Sequence, residues 1–173
     1  MNPSKKISYT AVFTAISIIA VVGAYFLPLS VFPFMLATLC LLITLNKCGF
    51  MWGFLLALIC CSVSAAMFPT GFVYIFFAAP HGFVCWLLSK IKLKNPFIKY
   101  PLKYLILIVF FSAALVGIYF LADAVLFSTA LPVMADIVGG YALFTLVATV
   151  IFIAYHELFM AGYREIMKLK VLR

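Results

Sequence analysis

The chain has 173 residues, of which 68% are hydrophobic and only 9% charged, with a mean hydropathy of +1.29. Such a composition lies far from that of water-soluble domains and defines an integral membrane protein. The formal net charge of +8 comes from cations that flank apolar runs, not from a basic patch interleaved with exposed aromatics, which excludes nucleic acid as the partner.

Uncharged runs long enough to cross a hydrocarbon core of about 30 Å occur at Ile7–Leu27, Leu29–Leu45, Phe50–Phe68, Phe72–Ser89, Tyr104–Ala122 and Ile137–Tyr155. None shows the period-two alternation of a barrel strand. The expected fold is therefore an all-α membrane protein, a six transmembrane helix bundle forming one domain over residues 1–173. The first run follows Lys5 and Lys6 as a signal peptide would, but it is too long and lacks a small-residue cleavage site. Within it, Ala11 and Ala15 lie one turn apart, as do Ala20 and Ala24. Nine residues are about two and a half turns, so the two pairs flatten nearly opposite faces of the helix. Small-xxx-small strips allow close backbone approach in lipid, and a helix flattened on both sides suits one that meets another protein.

The third run closes on Phe68-Pro69-Thr70-Gly71, a tight-turn sequence. Pro80 lacks an N–H and is best tolerated in the first turn of a helix, so the fourth helix is expected to begin near it. Phe72 to Ala79 would then be a short irregular segment dipping inward from the outer face, permissible only where it is enclosed by protein or lines a cavity. His81 would lie about 14 Å above Lys90, near the middle of the bilayer, either bonded to a neighbouring carbonyl or facing a ligand. The outer fifth loop holds Asp123 and Asp136, and Glu157 and Glu165 lie at the other end of the sixth run, so no intramembrane acid pair is present for proton relay or metal binding. Cys40, Cys48, Cys60, Cys61 and Cys85 show no C-x-x-C spacing and read as small packing residues. His156-Glu157 is half of a metalloprotease motif, but Met160 stands where the second histidine is required. Neither a metal, a cofactor nor a catalytic group is expected.

Six crossings put the N-terminus, the second and fourth loops and the C-terminus on one side, and that side carries all twelve Lys and Arg residues. The positive-inside rule makes both termini cytoplasmic. The basic side can also attract anionic membrane lipid or an acidic partner.

The string from Gly49 to Lys90 resembles the middle of substrate-binding S components of energy-coupling-factor (ECF) vitamin transporters, the folate-type branch in particular. Gly49, Trp52, Gly53, Phe68, Pro69, Thr70 and Gly71 carry the likeness, and Ala11 and Ala15 match the alanine motif by which S components dock on their coupling subunit. The resemblance implies a multi-pass protein of the bacterial cell membrane that binds a vitamin-like molecule near the outer face. Its partners would be a transmembrane coupling subunit and two cytoplasmic ATPases, and it would hydrolyse nothing itself. The chain departs from the folate pattern at Cys60 and Cys61 and in the loop after the turn, and no Lys or Arg lies on the outer half to meet a ligand carboxylate. A neutral or cationic ring compound is expected ahead of a folate. Tyr25, Phe72, Tyr74, Phe76, His81, Tyr119 and Asp123 are the candidate substrate-binding residues, rings for stacking with one carboxylate nearby. The competing reading is a structural or scaffolding protein of a cell-envelope complex, which needs the same composition but no aromatic-lined inward segment. A transporter driven by an ion gradient would call for intramembrane acids or internal repeats, and the sequence has neither.

Overall fold

The computed structural model describes residues 2–26, 32–66, 73–91, 95–125 and 141–168, with the backbone alone at 117–125, 141, 142 and 144. The described residues are almost entirely helical and contain no strand. In chain order they form α1 (Pro3–Phe26), α2 (Phe32–Lys47), α3 (Phe50–Ala65), a π-helical turn (Tyr74–Ala78) continuing into α4 (Ala79–Lys90), α5 (Pro96–Val125) and α6 (Tyr141–Ile166). Each of the six apolar runs thus overlaps one of these helices among the described residues. Three stretches are long and apolar enough to cross a membrane: α1, Pro96–Val116 of α5 and Thr145–Ile166 of α6. The 16-residue α2 and α3 are apolar but shorter, about 24 Å each.

Prolines mark the starts of four of these helices, where a missing N–H leaves no intrahelical bond unmade: Pro3, Pro33, Pro80 and Pro96 all fall in a first turn. Between α2 and α3 the chain reverses at Gly49, whose φ of 100° and ψ of 174° belong to a region open essentially to glycine alone.

By compactness the chain divides into an N-terminal unit, Met1–Pro96, and a C-terminal unit, Phe97–Arg173. In the N-terminal unit α2 is enclosed by its neighbours, with Ala37, Thr38 and every residue from Cys40 to Leu45 buried. The stripe that α3 turns inward is made of small residues and one leucine: Gly53, Leu56, Ala57, Cys60 and Ser64. Its large apolar side chains, Phe54, Leu55 and Leu58, point outward. This inversion of soluble-protein amphipathicity is what lipid selects, because close backbone approach, not apolar area, drives helix association there. Two glycines set the spacing. A Cβ at Gly53 would lie 2.3 Å from Leu45 Cδ2 and 3.3 Å from the Leu45 Cα, and one at Gly82 would lie 2.8 Å from Leu41 Cδ2. α3 and α4 therefore close on α2 through hydrogen-sized contacts.

In the C-terminal unit α5 and α6 run antiparallel. Phe111 and Phe152 stack at 4.6 Å with rings 7° apart. Glu157 accepts from Lys103 Nζ and, at 3.2 Å, from the Tyr104 hydroxyl.

Gly53→Ala is expected to lower stability in detergent by about 1–3 kcal/mol through overpacking against Leu45. Gly23→Ala, where an added Cβ meets nothing within 4 Å, is expected to leave the thermal midpoint unchanged. Comparing the two unfolding curves checks whether the α2–α3 spacing is set by the glycine.

Candidate functional site

The segment expected to be irregular between Phe72 and Ala79 is helical from Val73 onward, and this corrects the sequence reading. The helix is widened, however: the Ala79 N–H reaches back five residues to the Tyr74 carbonyl. The cause is Pro80. A proline ring clashes with the carbonyl four residues before it in an α-helix and supplies no N–H, and a π-turn ahead of it relieves both demands. α4 begins at Ala79 with Pro80 in its first turn, as the sequence leads one to expect. Thr38 of α2 ties this junction to the bundle by directing its hydroxyl to the Ala78 carbonyl at 3.1 Å and to the Phe34 carbonyl on its own helix at 2.8 Å.

The widened turn drives Tyr74 inward, where it is fully buried. Its hydroxyl stands beside the Cys60 thiol, with Cys40 and Cys61 also close, and the Ser17 hydroxyl stands beside both Cys40 and Cys60. Four segments thus deliver neutral hydroxyls and thiols to one place in an apolar core. Apart from these thiols, which are weak partners, neither Ser17 Oγ nor Tyr74 Oη has a hydrogen-bond partner among the described residues. The buried hydroxyls of Thr10, Thr14 and Ser64 likewise lack a hydrogen-bond partner among the described residues, whereas Thr44, Ser62 and Thr149 each bond to the carbonyl four residues back on their own helix. Burial in apolar surroundings disfavours the thiolate that nucleophilic attack or metal ligation would need. The cluster suits recognition of a neutral polar group or specification of packing, and supplies no acid–base chemistry.

Among the other candidates, His81 is fully buried on α4, with Nε2 at 3.4 Å from the Cys85 thiol one turn on and its ring stacked on Phe77 at 5.8 Å. Phe76 is half-buried on the π-turn. Tyr25 stands exposed at the end of α1, edge-on to Phe26. Tyr74, Phe76 and His81 therefore share one continuous segment, and Tyr25 lies on another helix. Phe72, the Pro69-Thr70-Gly71 turn and the side chains of Tyr119 and Asp123 lie outside the described residues. Ser17, Cys40, Cys60 and Thr38 are not among the sequence-derived candidates. The signal for Ser17 was the spacing of Thr10, Thr14 and Ser17, a hydroxyl stripe on one face of an otherwise apolar helix, and all three are buried.

The alanine strips of α1 part company. Ala20 and Ala24 are buried in the N-terminal unit together with Thr10, Thr14, Ser17 and Val21. Ala11 and Ala15 are exposed on the opposite face, with Ser8 and Ile19. Comparison of the chain with protein-family models, curated proteins and solved structures finds no match.

Tyr74→Phe removes a buried hydroxyl whose neighbour is a weakly bonding thiol, and is expected to leave the unfolding midpoint unchanged or raised. Thr38→Val breaks the bond to Ala78 and is expected to cost about 1 kcal/mol. Thermal denaturation of both variants in one detergent distinguishes an idle hydroxyl from a bonded one.

Proposed function

We propose that this chain is the substrate-specificity component of an ECF-type micronutrient importer in the bacterial cell membrane, a multi-pass protein with six crossings and cytoplasmic termini. It binds a vitamin or related ring compound from outside and docks on a transmembrane coupling subunit served by two ATPases. It is not itself an enzyme. The single observation that carries this reading is the exposure of Ala11 and Ala15 while Ala20 and Ala24 are taken up by the chain's own bundle. Lipid rewards large apolar side chains on an outward face, such as Ile19 here, and gains nothing from a flattened one; a flat strip suits a second helix. The position and residues of that strip agree with the docking motif of the resemblance.

On this reading the described residues of the N-terminal unit that would meet the ligand are Tyr25, Tyr74, Phe76 and His81. The absence of Lys and Arg from the outer half of the sequence favours a neutral or cationic ring, and the thiols beside the Tyr74 hydroxyl agree with it.

Affinity capture of the tagged protein from native membranes in mild detergent tests the proposal. Two related ATPases and one larger membrane subunit should co-purify, and denaturation should release a small molecule. Ala15→Trp should abolish that association while the unfolding midpoint stays where it was. Capture of cell-envelope synthesis proteins with no ATPase would replace transport with the scaffolding reading.

A further inference from the structure

Charge is unevenly neutralised at the end of the C-terminal unit where α5 begins and α6 finishes. Lys103 is paired with Glu157, and Lys168 with Glu165 at 2.7 Å. Lys99 and Arg164 have no acidic partner among the described residues; the one hydrogen bond of the Arg164 guanidinium runs from Nε to the Met160 carbonyl of its own helix, at 3.2 Å. The antiparallel register puts these two cations at a similar level of the helix pair. Lys103 faces Glu157, and each step towards the start of α5 is matched by a step towards the end of α6, so Lys99 lies within about one turn of the level of Arg164.

The surroundings say what anion belongs there. Phe97 is 87% exposed, and Ile98 and Tyr100 are each 56% exposed, in the first turns of a helix that continues as an apolar crossing. Aromatic rings interleaved with lysine at the mouth of such a helix sit at headgroup depth, with the ring in the acyl boundary and the cation in the phosphate layer. The anion at that depth is the lipid phosphodiester, and a guanidinium engages two of its oxygens at once. A zwitterionic headgroup brings its own cation and offsets part of that attraction, whereas an anionic one does not.

We infer that the α5–α6 end of the C-terminal unit holds the headgroup of one anionic phospholipid, with Lys99 and Arg164 on the phosphate and Phe97 and Tyr100 against the glycerol and upper acyl chain. The inference rests on the placement of α5 and α6 in a membrane and leaves the transport reading untouched, because its test needs no partner or substrate.

The test is native mass spectrometry of the full chain, released from detergent doped with phosphatidylglycerol or phosphatidylcholine of matched acyl chains. Phosphatidylglycerol should be retained in a one-to-one adduct that phosphatidylcholine does not form to the same extent. At about five-fold per surface cation, Lys99→Gln/Arg164→Gln should weaken phosphatidylglycerol binding roughly twenty-five-fold. Lys168→Gln, at a cation already paired with Glu165 three residues before it, should change it less than about two-fold. Lys5→Gln/Lys6→Gln removes the same charge from the N-terminal unit and should also leave the adduct in place. Equal retention of the two lipids overturns the inference. So does an equal loss in the Lys5/Lys6 variant, which would mean diffuse charge and no site. Loss of an acidic protein from the Lys99/Arg164 variant with phosphatidylglycerol retention unchanged would also overturn it, since the occupant would then be that protein.

Discussion

The N-terminal unit depends on the close approach of two helices to α2. Leu45 and Leu41 stand where a β-carbon on the facing helix would sit, and the facing residues are Gly53 and Gly82. In water, a helix as apolar as α2 would be driven into a core by the solvent. In lipid that drive is missing, and enclosure has to come from dispersion contacts and from hydrogen bonds between helices. The glycines make the first possible by bringing backbone within reach of backbone. Thr38, bridging to the Ala78 carbonyl, supplies the second. From this arrangement follow the depth of α4, the position of the π-turn above it and the inward direction of Tyr74.

Polar groups in the bundle obey the same economy of partners. The hydroxyls of Ser8, Thr44, Ser62 and Thr149 turn back on their own backbone, so they can face lipid or protein at little cost, while those of Thr10, Thr14 and Ser64 are buried without doing so. Ser17 and Tyr74 do not either, and they meet the thiols of Cys40 and Cys60, which are weak partners. A buried group held without a good partner is retained at some expense to stability, and such groups concentrate where something other than stability is served. The widened turn that carries Tyr74 belongs to the same category, since π-bulges concentrate at functional sites. The two features lie on one segment, the one that also bears Phe76 and His81.

α1 joins the interior to the outside. Its buried stripe of hydroxyls and small residues, from Thr10 to Ala24, holds it against α2 and α3, and its second alanine strip is left open. In the C-terminal unit the helix pair is held by ring stacking within the apolar region and by the Lys103–Glu157–Tyr104 group near the charged end. The charged side chains described in this pair, from Lys99 and Lys103 to Glu157, Arg164 and Glu165, lie at one end of it, where an aqueous or headgroup environment can solvate them.

The sequence by itself determined the membrane character, the helical class and the six apolar segments, because hydropathy and backbone satisfaction in lipid are properties of runs of residues and need no knowledge of neighbours. It also located the start of α4, since Pro80 restricts helix geometry locally. It erred on Phe72–Ala79: a proline that forbids a regular helix can be accommodated by a π-turn as well as by a loop, and only the packing of Tyr74 and Ala78 against α2 and α3 chooses between them. It marked both alanine strips of α1 but could not say which would be covered, because a strip of small residues is the same string of letters whether a neighbour lies on it or not. The convergence of Ser17, Cys40, Cys60 and Tyr74 was equally invisible, being a matter of four helical segments meeting across more than fifty residues of chain. Tertiary structure decided these points because helix association in lipid is settled by the fit of particular side chains, and fit is not additive along a sequence.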